Sequence, residues 1–307
     1  MPRGTIVVVG SANMDMYILL DRLPAGGETL LGREFQMQPG GKGANQAVAA
    51  ARAGSEVFLV ANLGDDLFGR TLTDTLQRER VAIDFVSLDR AARTGVAMIL
   101  VDAAGENLIA VAPGANSRLT PDHVAKAHSR TREADFLLVQ MEIPAETVEA
   151  AVDLAYKDRI PVVLNAAPAP RHPLSAETAA KLDTVVVNEY EAGILTGLDV
   201  KNQADAERAA RVFQQMGVKR VVVTLGSRGA LALADAVTFV PAKTVHAVDT
   251  VGAGDAFCGA LVTALAEKMD FPEAVSFANA AAALACMKVG AQTSLPARVD
   301  IESFWRE

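Results

Sequence analysis

The stretch "DFLLVQMEIPAETVEAAVDLAYKDRIPVVLNAA", residues 135–167, decides the fold. It opens on a continuous apolar run, passes through a helical pattern and closes on a second apolar run. A strand wetted on one side alternates apolar and polar residues. "FLLV" and "VVL" do not alternate, so both read as strands covered on both faces. Two such strands joined by a helix form a parallel pair with a right-handed crossover. The same pattern recurs in "TIVVVG" (5–10), "EVFLVANLG" (56–64), "TVVVNEYE" (184–191) and "RVVVTLG" (220–226). Helical patterns at 43–54 and 204–217 end on Gly54 and Gly217, the residue type that stops helices in the left-handed conformation. The chain is expected to be α/β, with a doubly wound, mostly parallel sheet.

Length and composition fit that architecture. The 307 residues suit one domain spanning 1–307 with a small appendage, and half of them are hydrophobic. A formal net charge of −8 supplies no basic excess to neutralise a nucleic acid backbone. Cys258 and Cys286 lie in Ala-rich helical contexts and read as buried free thiols, and the four histidines (His123, His128, His172, His246) lack metal-ligand spacing. No apolar run reaches the roughly 18 residues of a membrane span, and "MPRGTIVVVGS" enters a strand without a signal peptide. A cytoplasmic protein without nucleic acid or membrane partners is expected.

Two stretches break the rhythm. Residues 16–38 carry a "PAGG" turn and no helical period, and residues 95–112 read as a hairpin around "AAGEN". In "VAMILV" both alternating faces are apolar. A small projecting sheet is expected, lying over the main domain as a lid and pairing with a second copy of the chain.

Polar residues stand at successive strand exits: Asn13 and Asp15, then Glu142, Asn165, Asn188 with Glu191, and Thr224. Ligands of doubly wound sheets bind outside the carboxyl ends of the strands, so these side chains should share one crevice. "PGGKGANQA" (39–47) is not a phosphate loop, because Gln36 stands where its first glycine belongs and Gly43 where Ser or Thr should follow the lysine. "VVVGSANMD" lacks the dinucleotide fingerprint, which disfavours an oxidoreductase. Gly40, Gly41 and Gly43 offer close backbone approach, while Lys42 and Asn45 add a cation and an amide. With Asp15 and Asn13 these suit a polyhydroxylated ligand. "VDTVGAGDAF" (248–257) places two glycines and Asp255 at the head of a helix with apolar Phe257, Leu261, Leu265 and Met269. Unpaired N–H groups there form an anion site. An Asp in a first turn ordinarily caps its helix; beside a phosphate-shaped turn and a sugar-like crevice it reads as a proton acceptor.

"GGKGANQAVAAARAG", "DTVGAGDAFCGAL", "NEYE" (188–191), "TLGSRG" (224–229), "APGAN" and "MEIP" together resemble the PfkB family of ATP-dependent carbohydrate kinases, nearly end to end. The resemblance implies the three-layer fold of that family with a β lid that is the dimer contact. It implies transfer of the ATP γ-phosphoryl group to the 5-hydroxyl of D-ribose. Asp255 aligns with the catalytic base and Gly252, Ala253 and Gly254 with the anion hole. Asn13, Asp15, Gly41, Lys42, Gly43, Asn45 and Glu142 fall on sugar positions. Asn188, Glu191, Thr224, Gly226, Ser227, Gly229, Gly254 and Asn279 fall on ATP positions, with Asn188 and Glu191 linked to Mg²⁺ through water. Asp249, Val251, Ala285, Lys288, Gly290 and Ser294 fall on a monovalent-cation (K⁺) site. Asn279 stands where relatives often carry His, and Ala166 where they carry Pro. Deoxyribose, another sugar or a nucleoside are the alternative acceptors, and a sugar-binding sensor is the alternative without chemistry.

Overall fold

The computed structural model describes residues 4–103, 106–169 and 175–307. Residues 104 and 105 of the expected hairpin turn, His172 and the first three residues lie outside the described residues. The main sheet comprises β1 (Thr5–Val9), β4 (Glu56–Gly64), β5 (Val81–Asp89), β8 (Phe136–Gln140), β9 (Val162–Asn165), β10 (Thr184–Asn188), β11 (Arg220–Thr224), β12 (Gly229–Leu233) and β13 (Val237–Pro241). The small sheet comprises β2 (Asn13–Leu19), β3 (Glu34–Gly40), β6 (Gly95–Val101) and β7 (Asn107–Ala112). The nine main strands lie in the order β13-β12-β11-β10-β9-β8-β1-β4-β5. Only β12 and β13 run antiparallel to their neighbours.

Helices cover both faces. Ile6 and Val8 of β1 point into a core shared with the helices Lys42–Ala53, Ala253–Ala266 and Phe271–Cys286. Val7 and Val9 point the other way, against the helices Ala145–Lys157 and Gln203–Gln215. Burial on both sides is why these strands read as unbroken apolar runs. Of the apolar positions expected in the late helix, Phe257, Leu261 and Leu265 are buried in the first core, while Met269 lies past the helix end and packs at its margin. Cys258 is buried, Cys286 is half-buried, and both are free thiols.

The small sheet begins before the 16–38 stretch. Pairing begins at Asn13, which faces Gly40 on β3 and Gly95 on β6. Asn13 and Asp15 are therefore on the first strand of the small sheet. Strand alternation sends Asn13, Asp15 and Tyr17 to one face, with Ala97 and Ile99 of β6 opposite Asp15 and Tyr17. Met16, Phe35, Met37, Met98 and Leu108 share the other face.

Candidate active site

The helix Lys42–Ala53 starts where β1 and β3 end, and close backbone packing sets its position. A Cβ on Gly43 would come within 2.6 Å of the Gly10 carbonyl carbon and the Ser11 nitrogen. Gly41, at φ +86°, would place a Cβ 2.6 Å from the Asn13 nitrogen. The glycines expected to let a ligand approach thus let the chain approach itself. Lys42, Asn45 and Gln46 are delivered together into the crevice at the strand exits.

Asp255 lies on the first turn of the helix Ala253–Ala266, only 7 % exposed. Its two carboxylate oxygens accept from the amides of Asn45 and Gln46, each at 2.9 Å. Gly252 holds φ +80° at the helix entry. Among the described residues, nothing accepts from the N–H groups of Gly252, Gly254 and Asp255. The Ala253 N–H turns back to the Thr250 carbonyl at 3.3 Å. The open donors of the glycine turn are therefore at 252, 254 and 255, beside a helix N-terminus that attracts negative charge.

These donors line a cavity of about 240 Å³ that also touches Lys42, Asn188, Glu191 and Thr224. Asn188 and Glu191 brace each other: Glu191 N–H donates to Asn188 Oδ1 at 2.8 Å, and Asn188 N–H to Glu191 Oε2 at 2.9 Å. This capping box begins the helix Glu189–Thr196 at the exit of β10. Burial pushes the Glu191 carboxyl up, against its Asn188 hydrogen bond and the nearby Lys42 charge. Burial disfavours the Lys42 ammonium, but the carboxylates of Asp255, Glu142 and Glu191 outweigh it and hold the lysine above its ordinary value.

A second cavity of about 380 Å³ is lined by Asn13, Asn116 and Glu142. Glu142 Oε2 accepts from the Ser11 hydroxyl at 2.5 Å and from the Lys42 N–H at 3.1 Å, so the two cavities adjoin through this contact. Asn116 donates to Asn13 Oδ1 at 2.7 Å, and the Asn13 amide hydrogens have no acceptor among the described residues. No donor reaches the Asp15 carboxylate among the described residues, although Asp15 is only 6 % exposed. Burial, and then the charges of Glu142 and Asp255, push its pKa up to about 7. The Asn45 Oδ1 is buried without a partner among the described residues. Facing groups with unused donors and acceptors are what a sugar's hydroxyls need.

The remaining expected residues lie outside the linings of these two cavities. Gly226 and Ser227 form a short turn after β11, with Ser227 exposed, and Gly229 opens β12. Asn279 is buried, and its amide donates to the carbonyls of Val240 (3.1 Å) and Pro241 (3.4 Å), tying its helix to β13. Asp249 accepts from the N–H of Val251 at 2.9 Å and of Gly290 at 2.8 Å, joining the loops around 250 and 290. Ala285 and Lys288 are linked by a backbone bond at 3.2 Å, and the Ser294 hydroxyl donates to the Ala291 carbonyl. The carbonyls of Val251, Lys288 and Gly290 accept no hydrogen bond among the described residues. No cluster of three or more His, Cys, Asp or Glu residues suited to a metal occurs among the described residues.

Sequence reasoning missed Ser11, Gln46, Asn116 and Gln140 as site residues. Gln140 carried a usable signal, being the polar last residue of an otherwise apolar strand. Gln46 carried none, as one amide in an Ala-rich helix.

The profile of the pfkB family carbohydrate kinases matches residues 3–298. The chain is 40 % identical to a ribokinase of Haemophilus influenzae over 303 residues, covering 98 % of each chain. It is 37 % identical to a deoxyribokinase of Salmonella typhi over 300 residues, covering 97 % of each. Its fold superposes on Arabidopsis thaliana ribokinase complexed with ribose and ATP at a TM-score of 0.92, with 31 % identity and full coverage of both chains.

Proposed function

Because the chain belongs to the pfkB family of carbohydrate kinases, we propose that it transfers the γ-phosphoryl group of ATP to the 5-hydroxyl of D-ribose. The observation that carries this reading is Asp255. One carboxylate stands beside an amide from the sugar-facing helix, at 2.9 Å, and at the head of a turn with three uncommitted N–H donors. A hydroxyl held there has a proton acceptor on one side and an anion site on the other.

In the reaction, the sugar oxygen forms its bond to the γ-phosphorus and gives its proton to Asp255, and the bond to the β-phosphate oxygen breaks, releasing ADP. The amides of 252, 254 and 255 stabilise charge on the transferring group, with Ala253 shaping the turn. Asn13, Asp15, Lys42, Asn45 and Glu142 grip the hydroxyls, and Gly41 and Gly43 fix the segment that carries Lys42. Thr224, Gly226, Ser227 and Gly229 border the nucleotide, and Asn279 keeps only its Oδ1 for it. Mg²⁺, when bound, neutralises the phosphates. Such an ion keeps several waters and binds mainly through substrate phosphates, and Asn188 and Glu191 would hold its water shell.

A monovalent cation such as K⁺ fits the loops joined by Asp249, where the uncommitted carbonyls of Val251, Lys288 and Gly290 offer the oxygen donors it takes, with Ala285 and Ser294 alongside. The lid is read as the contact of a homodimer: Phe35, Met37 and Leu108 on its outer face are each more than half exposed. The reading puts the enzyme in the cytoplasm, where ATP is supplied.

A sugar panel with ATP and Mg²⁺, with and without K⁺, tests this. D-ribose is expected to be the best acceptor and K⁺ to raise the rate. A preference for 2-deoxyribose would redirect the substrate reading to the activity named for the Salmonella relative. Absence of ADP release with every sugar would remove the kinase reading.

A further inference from the structure

We propose that Gln46, anchored by Gln140 and Asn165, is the positioning residue that orients the carboxylate of Asp255; the proposal rests on Asp255 being the base. Gln46 is fully buried, and its amide is completely committed. Its Nε2 donates to Asp255 Oδ1 and to Asn165 Oδ1, both at 2.9 Å. Its Oε1 accepts from Gln140 Nε2 at 2.7 Å. Asn165 in turn donates to the Val186 carbonyl at 3.2 Å.

The direction of this relay is forced. A backbone carbonyl accepts only, so Asn165 must present its NH₂ to Val186 and its oxygen to Gln46. Gln46 must then turn its own NH₂ toward Asn165 and Asp255, and its oxygen toward Gln140. A flipped Gln46 would set its oxygen against both the carboxylate and the Asn165 oxygen, leaving buried polar groups unpaired. The Asp255 rotamer is thereby tied to β8 through Gln140, to β9 through Asn165 and to β10 through the Val186 carbonyl. Each oxygen of Asp255 takes one amide donor, which keeps lone pairs open for a substrate hydroxyl. A reacting carboxylate gains from such fixing because small displacements cost large factors in rate.

The experiment compares Gln46→Met, Gln46→Glu and Gln140→Met with the parent, using the best acceptor in the sugar panel. Gln46→Met removes the donors at similar volume. It should lower kcat by about 10–10², with the KM for sugar and ATP within about threefold of the parent's. Gln140→Met, one step further away, should lose less. Gln46→Glu supplies the signature that a purely structural role lacks. When protonated it can still donate to Asp255, and when ionised it repels it. Its kcat should therefore fall with rising pH across a range where the parent's does not, while circular dichroism reports a folded chain throughout. Folded Gln46→Met and Gln46→Glu variants with parental kcat at every pH would overturn the assignment. So would a loss carried entirely by KM. Failure of the parent on ribose alone would count against the substrate reading and not against Gln46, because the comparison uses whichever acceptor works.

Discussion

Asp15 stands on the small sheet on the same face as Asn13 and Tyr17, nearly buried and without a hydrogen-bond donor among the described residues. Its folded pKa is about 7, against 3.8 for an ordinary Asp side chain, raised by burial and by the Glu142 and Asp255 charges. Between these values the folded state holds a proton that the unfolded chain releases. The empty protein therefore loses stability on this account as pH rises from about 4 to about 7. Asp15→Asn should remove that loss. Urea denaturation should find the variant more stable than the parent at pH 8 by on the order of 3 kcal/mol, with the gap closing toward pH 4. A gap that stays constant over that range would contradict the electrostatic account. The same variant should weaken ribose binding, a stability cost accepted for function. Asp255 is the companion case. Asp255→Asn keeps the shape and loses the proton acceptor, so kcat should fall by about 10²–10⁴ with ribose affinity, read by calorimetry, little changed. Near-parental turnover would remove Asp255 from the chemistry.

Two glycines separate fold from catalysis at the scale of elements. Gly43 packs its helix onto the β1 exit so tightly that a methyl group would meet backbone at 2.6 Å. Gly43→Ala should cost about 1–3 kcal/mol of stability. Gly254 has nothing within 4 Å of where a Cβ would stand, and that space lines the cavity beside Asp255. Gly254→Ala should melt near the parent temperature yet lose at least about tenfold in kcat, if the added methyl crowds the cavity that Gly254 lines beside Asp255. Equal loss of stability in both would show that the glycine turn serves packing alone. The elements themselves were unequally legible. Strands buried on both faces announced themselves, as in "TIVVV" and "RVVVT". β5 is half-exposed along most of its length, β12 is built of Gly, Ala and Leu, and β13 is partly exposed, so none offers an unbroken β-branched run. The site was legible where polarity interrupts a strand exit, as at Glu142, Asn165 and Asn188. It was not legible in Gln46, whose hydrogen bonds exist only once β8, β9 and the helix of Asp255 meet, nor in the glycines of 40–43, whose close neighbour proved to be the chain itself.

Across the whole molecule, groups from residues 13–46 and from 252–255 face each other although some 210 positions separate Asn45 from Asp255. The sheet order explains this: β1 lies inside the sheet between β8 and β4, and the helices Lys42–Ala53 and Ala253–Ala266 pack together on one face of it. The outer lid face is the exposed remainder of this architecture. If the proposed dimer forms through this face, Leu108→Asp should lower the mass from dimer to monomer in light scattering, and an unchanged mass would remove the small sheet from that proposal. The kinase reading itself is tested most directly by proton-coupled phosphorus NMR of the chain with ATP, Mg²⁺ and D-ribose. A primary ester at the 5-hydroxyl has two neighbouring protons, so the predicted result is a new triplet growing in step with ADP. A doublet, which marks a secondary hydroxyl, or ADP without any sugar ester, would contradict the account.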